Sequence, residues 1–215
     1  MLSAKPILET NEFEDVIHSL IIVKDAVQKT QNAPLFWKVA IIHTHAALQG
    51  SCVCLLTRTD GTGAMTQKVE KDMWEKYYGV TEGVSNLDRP EIRYPTPRVA
   101  DLGDLLKRLP KDIRPSIPSE VPRKKPWNAE TDLRLLINLR NEFMHFPPQG
   151  WTIEVSGMPR VLRHAIELAK KAAFHQGYSR TNRFNELDGE RHFDDCLNVL
   201  RDAELENTGH SAAKG

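Results

Sequence analysis

The chain has 215 residues, of which 29 are basic and 29 acidic, so its formal net charge is zero. This length predicts one domain with a substantial core, and neutrality excludes a strong global attraction to nucleic acid, although a local basic face could still bind phosphate. Three cysteines without a C-x-x-C pair favour neither a disulfide framework nor a zinc site, and no cofactor motif is present. Because the amino-terminal segment lacks a signal-peptide pattern, we expect a cytoplasmic protein that does not contact a membrane.

Two helices are predicted at the start of the chain. From Asn11 to about residue 30 the apolar residues recur at helical spacing, and Asn11 with Glu14 resembles a capping box. Pro34 then stands where a second helix begins, and its apolar spacing continues over 36–56. This run is long enough to span a membrane, but its polar residues favour a buried helix. These residues are Lys38, His43, His45 and Gln49.

An irregular segment is predicted after a third helix. That helix covers about 64–78, and Gly79 is expected to end it. Eight of the 13 prolines then fall between residues 90 and 126, and only 99–109 keeps a helical period. We therefore expect 79–126 to form an irregular, proline-rich insertion.

The next helix should begin at Asn128, a good N-cap, and continue to about Phe146, where Pro147 and Pro148 stop it. The alternating run 151–155 is long enough for one short strand or an extended arm.

Two more helices are predicted near the end of the chain. The first covers about 159–176 and the second about 188–205, and the polar residues 206–215 are expected to form a disordered tail. Strands and helices do not alternate along the chain, so the predicted class is an all-α helical bundle in a single domain, residues 1–205.

The end of the helix that starts at Asn128 carries the most informative residues. Asn138, Asn141 and His145 share one polar face, and Arg140 lies five positions before His145, about 140° around the helix. An imidazole and a fixed cation, brought together, can move a proton and stabilise the negative charge that builds during phosphodiester cleavage. The two groups do not stack directly in one copy, so either the long arginine bends toward the histidine or two copies packed across a two-fold axis bring two arginines and two histidines into one cleft. The alternative is that both residues only stabilise the helix end.

The run Leu139-Arg140-Asn141-Glu142-Phe143-Met144-His145 resembles the hallmark motif of the HEPN superfamily, an Arg followed by a polar residue and then a His four to six positions later. Residues 40–50 are similar to the helix that faces this motif in some members. The resemblance implies a homodimeric, metal-independent endoribonuclease that leaves a 2′,3′-cyclic phosphate, in which Arg140 and His145 are catalytic and Asn141 and Glu142 orient them. It also implies a toxin–antitoxin or phage-defence setting, with an antitoxin or other protein as a partner.

Some members of that superfamily are inactive modules that bind RNA or protein, which is the alternative function. Toxins of the family that are regulated by a nucleotidyltransferase antitoxin have a Tyr where this chain has Pro147, so we do not expect that form of control.

Further residues are candidates for binding RNA. Arg123, Lys124 and Lys125 form a basic run that can hold a backbone or can be ordinary solvated surface. His45 and Gln49, four positions apart, can face the helix that carries the motif. The basic residues that follow the motif can likewise hold an RNA backbone or be solvated surface; they are Arg160, Arg163, Lys170 and Lys171. Trp127 and Trp151, which flank the motif helix, can stack an unpaired base or pack in the core.

Overall fold

The structure, a computed structural model, describes residues 8–81, 95–124, 127–145, 152–175 and 181–212. Within these ranges the chain is mostly helical, which confirms the all-α class, and it contains no strand. The helices are α1 (Glu12–Lys29), α2 (Phe36–Leu56), α3 (Gln67–Thr81), α4 (Leu102–Arg108), α5 (Ala129–His145), α6 (Met158–Ala173), α7 (Thr181–Glu186) and α8 (Gly189–Ala212).

Four of the helices form a closed bundle. α1 packs against α2, α2 against α6, α6 against α8, and α8 against α1. α5 lies outside this ring and packs against both α6 and α2, while the short α4 packs on α2. Burial of the apolar stripes of these helices provides the main stabilisation of the fold. One end of the core is aromatic: Phe184 lies 5.1 Å from Phe13 and 6.4 Å from Phe193, measured between ring centroids.

The first two helices are confirmed. Asn11 caps α1, since its side-chain oxygen accepts hydrogen bonds from the backbone N–H groups of Phe13 and Glu14 at 3.0 and 3.1 Å. α2 is long and apolar enough to cross a membrane by length and composition, with a mean hydropathy of 1.5 over its apolar window. About half of that window, 56%, is buried inside the protein, an arrangement that a core helix of a bundle also shows.

α3 differs from its prediction at both ends. It begins at Gln67 rather than near residue 64, because the backbone before it pairs with another segment: Thr66 donates to the Arg98 carbonyl and Ala100 donates to the Ala64 carbonyl, both at 2.9 Å. At the other end the helix continues through Gly79 to Thr81. A glycine inside a helix costs only about 1 kcal/mol relative to alanine, so it does not by itself end one.

The proline-rich segment contains a short helix, α4, inside the region 99–109 that kept a helical period. Arg108, at its end, donates from one nitrogen to the carbonyls of Gly63 and Met65 at 3.1 and 2.7 Å and to the Glu70 carboxylate at 3.3 Å. This arginine ties the insertion to the turn after α2 and to α3.

The end of the chain differs from its prediction in two places. Of the two alternatives for 151–155, a short strand or an extended arm, the strand is absent from the described part, 152–155, where no neighbouring described backbone forms a ladder with it. The tail expected to be disordered from residue 206 is instead helical to Ala212. Side-chain hydrogen bonds hold this last part of α8: Gln31 donates to Glu206 at 2.5 Å, and Asn207 donates to the Ser156 carbonyl at 3.2 Å.

Candidate functional site

The helix that carries the motif, α5, starts at a reciprocal cap. The Asn128 side chain accepts from the backbone N–H of Thr131 at 2.9 Å, and the Thr131 hydroxyl accepts from the N–H of Asn128 at 2.9 Å. This confirms Asn128 as the N-cap. Asp132, Leu136 and Leu139 are buried along the helix, and its exposed residues lie mainly in its last two turns.

The charge of Arg140 acts on a residue of α2, a helix against which α5 packs. This residue is His45, which is buried with 5% of its surface exposed. Burial, and to a smaller extent the charge of Arg140, lowers the pKa of His45 to about 4. His45 is therefore neutral at pH 7. Nearby, the Lys38 ammonium lies 5.3 Å from the ring centroid of Phe143, so the carboxyl-terminal end of α5 packs beside the first half of α2.

The other motif residues lie at the surface. Asn141, Glu142 and His145 are exposed, and His145 is the last residue of α5. Arg140 is half-buried and donates from Nη1 to the Oδ1 atom of Asn141 at 3.2 Å, which links the two sides of the motif. The structure thus places a cation at the α2–α5 contact and an imidazole on the solvent side of the same helix end.

The candidate RNA-binding residues lie in several places. Gln49 donates to the carbonyl of Ala100 at 3.4 Å, so its amide is engaged next to α4 rather than with the motif. Arg123 and Lys124 are exposed, as a basic binding run requires. The third basic residue, Lys125, lies outside the described residues. Pro147, Pro148 and Trp151 lie outside them too.

A buried ionic cluster between α5 and α6 was not expected from the sequence. The Asp132 side chain is fully buried, and Arg160 donates to its two carboxylate oxygens from Nε and Nη2, each at 2.9 Å. His164 Nδ1 lies 2.8 Å from the same carboxylate. Burial alone would raise the pKa of Asp132, but the hydrogen bonds from His164 and Arg160 outweigh it and hold this pKa below its ordinary value.

Asp132 lies in the first turn of α5, where an acidic residue is favourable for the helix dipole whatever its partners. A signal existed in the i, i+4 spacing of Arg160 and His164, which places both side chains on one face of α6. The cluster fixes α6 against α5 and hence the position of the motif helix.

The basic residues of α6 are largely committed to ion pairs. Arg160 binds Asp132, while Arg163 contacts Glu204 and Glu167, each at 2.9 Å. Lys170 contacts Asp194 at 2.7 Å. These ion pairs compete with any phosphate for the three side chains.

A cavity of about 340 Å³ lies beside the motif, between α5 and the start of α6. Glu142 lines it together with Trp127, Leu139 and Arg160. Glu142, expected to orient the catalytic pair, is therefore also part of a concave surface.

Among the described residues, no group of three or more His, Cys, Asp or Glu side chains is placed to hold a metal ion. Comparisons with models of known protein families, with curated proteins and with solved structures find no match for the chain. Fold and site together define an all-α bundle with a polar, arginine- and histidine-bearing helix end.

Proposed function

We propose that the protein is a metal-independent endoribonuclease of HEPN type, with an active site shared by two copies of the chain. The observation that carries this proposal is the position of the motif: Arg140 and His145 lie in the last turns of one helix, with Asn141 beside Arg140 and His145 exposed. The five-residue spacing turns the two side chains about 140° apart, so one chain offers half of a site.

The shared site explains how both groups act on one phosphate. His145 of one copy accepts the proton of a ribose 2′-hydroxyl, whose oxygen attacks the adjacent phosphorus. The bond to the 5′-oxygen breaks, and that oxygen takes a proton from the imidazole of the second copy. Arg140 stabilises the negative charge that builds on the phosphorane oxygens. The products are a 2′,3′-cyclic phosphate and a 5′-hydroxyl.

The test is cleavage of RNA in EDTA by the wild type, His145→Ala and Arg140→Ala. We expect both substitutions to reduce cleavage by at least about 100-fold, because general acid–base and charge-stabilising groups each contribute this much or more. Matched controls are His18→Ala on α1, at an exposed histidine, and Arg201→Ala on α8, at an exposed arginine, which should cleave like the wild type. Equal cleavage by the wild type and both motif variants would refute the proposal.

Mixing the two inactive variants tests the shared site. A dimer of one His145→Ala chain and one Arg140→Ala chain keeps one intact histidine and one intact arginine in opposite copies. Because it has one of the two imidazoles that the mechanism uses, cleavage should return only in part. A site within one chain predicts no recovery. A strict monomer in light scattering would also contradict the shared site. Folded, dimeric protein that binds RNA without cleaving it would instead support an inactive binding module.

A further inference from the structure

The cavity beside the motif has the features of a ligand site. Its walls are mostly apolar and include Leu135, Leu139, Ile153 and Val161. Its volume of about 340 Å³ is within the range of pockets that hold small molecules or single nucleosides. The flat ring of Trp127 forms part of the lining, and its indole N–H donates to the Pro122 carbonyl at 3.0 Å, which fixes the orientation of the ring.

The polar groups of the cavity are mainly acceptors. Glu142 and Glu154 both line it, and each carboxylate accepts hydrogen bonds when ionised. Among the described residues of the lining, Arg160 is the one cation, and two of its guanidinium nitrogens are bound to Asp132. The described lining therefore favours a flat ligand whose ring face packs on the apolar walls and whose edge carries adjacent hydrogen-bond donors.

Glu142 connects the cavity to the motif. It lies three positions before His145, and residues with this separation are neighbours on a helix surface, with Cβ atoms roughly 5–6 Å apart. A ligand that reaches Glu142 thus lies beside the residue that we assign to proton transfer.

We propose that this cavity binds an unpaired guanine base of the RNA, next to the phosphate that is cleaved. Guanine alone among the four bases presents two adjacent donors, N1–H and the N2 amino group, which match the two oxygens of a carboxylate such as Glu142. Adenine and cytosine place an acceptor beside their amino group, and uracil has one donor between two carbonyls. Stacking on an aromatic ring and pairing along the Watson–Crick edge is the usual way in which proteins read unpaired RNA bases. The inference rests on the proposed ribonuclease function.

Binding of nucleosides to the full-length wild type tests the site without any cleavage. We expect calorimetry to show that guanosine binds at least about tenfold more tightly than inosine, which lacks the N2 amino group, because a hydrogen bond to a charged group has about this effect. Adenosine should also bind weakly. Equal affinity for guanosine and inosine, or no guanosine binding, would overturn the inference. Tighter binding of an arginine amide than of guanosine would also overturn it and would indicate a protein partner.

Variants separate the cavity from the fold. Glu142→Gln should remove the preference for guanosine over inosine, whereas Glu75→Gln, on the exposed surface of α3, should keep it. Gly157→Leu adds a side chain to the cavity lining and should weaken guanosine binding at least tenfold. A Cβ atom at Gly157 would meet no atom closer than the Nη2 of Arg160 at 4.0 Å, so the backbone has space for a side chain here, and urea unfolding like that of the wild type shows that the variant folds. Unchanged guanosine binding in both cavity variants would place the site elsewhere.

Two further comparisons distinguish the sources of guanine and the two proposals. A tetranucleotide with one guanine, whose 2′-O-methyl groups prevent cleavage, should bind more tightly than the same oligomer with inosine. If free guanine nucleotides bind but the oligomer does not, the cavity has no role in binding substrate RNA. Guanosine binding without RNA cleavage would refute the nuclease alone. Cleavage without a preference for guanosine would refute the base pocket alone.

Discussion

Replacing Asp132 with asparagine should destabilise the protein strongly. The carboxylate is fully buried and receives two hydrogen bonds from Arg160 at 2.9 Å and one from His164 at 2.8 Å. Asparagine keeps the shape, removes the charge and turns an amide N–H₂ toward these donors. Removing one partner of a buried ion pair costs about 3–5 kcal/mol. Because the side chains of Arg160 and His164 are 30% and 18% exposed and can regain water, we expect a loss of about 2–4 kcal/mol.

Urea unfolding followed by far-ultraviolet circular dichroism measures this loss. For a chain of this size the melting temperature should fall on the order of 10 °C. Asp25→Asn, at an exposed residue of α1, is the matched control and should change stability by less than about 0.5 kcal/mol. In an Arg160→Met background the cost of Asp132→Asn should be smaller, because the main partner of the carboxylate is already absent.

The pH dependence gives a second measurement. Since the pKa of folded Asp132 is below its ordinary value, its contribution is complete above the unfolded pKa of roughly 4 and is lost as the pH falls through the folded pKa. The stability difference between wild type and Asp132→Asn should therefore be constant from pH 8 to 5 and shrink below pH 4. A difference under about 0.5 kcal/mol at pH 7, or one that grows in acid, would refute this account of the cluster.

Two other predictions concern the core and a turn. His45 has a folded pKa of about 4 and an unfolded value near 6.5, so the free energy of unfolding of the wild type should fall about 3 kcal/mol more than that of His45→Gln between pH 6.5 and 4. Proton NMR should also show that Arg140→Gln raises the pKa of His45, and no rise would show that the two residues lie apart. In the turn after α2, a Cβ at Gly63 (φ +95°) would lie 2.1 Å from the Leu56 carbonyl oxygen, whereas one at Gly61 (φ +77°) has no atom within 4 Å. Gly61→Ala should cost about 1 kcal/mol and Gly63→Ala at least twice as much in urea unfolding, and equal costs would contradict the close approach.

The elements that sequence predicts well are those with local causes. Asn11 and Asn128 both act as caps because the N–H groups that they satisfy lie two or three residues away. The apolar period of each long helix is likewise read within one window of sequence. The angle between Arg140 and His145 follows from helix geometry alone.

What sequence could not show depends on how helices meet. Arg160 and His164 follow Asp132 by 28 and 32 residues, so their cluster exists only once α5 and α6 pack. The neighbourhood of Arg140 and His45 depends in the same way on the contact between α5 and α2. The extent of α8 beyond residue 205 depends on distant side chains that a polar composition does not reveal.

The closure of the bundle by its last long helix affects the timing of folding. α1 packs against α8, and Lys24 pairs with Asp195, 171 positions later, at 3.3 Å. At a synthesis rate of about 5–20 residues per second, this interval takes roughly 10–30 s on the ribosome. The side of α1 that packs against α8 therefore remains exposed during that time, and only α2 is available earlier to pack against α1. Such late, non-local contacts also slow folding of the released chain.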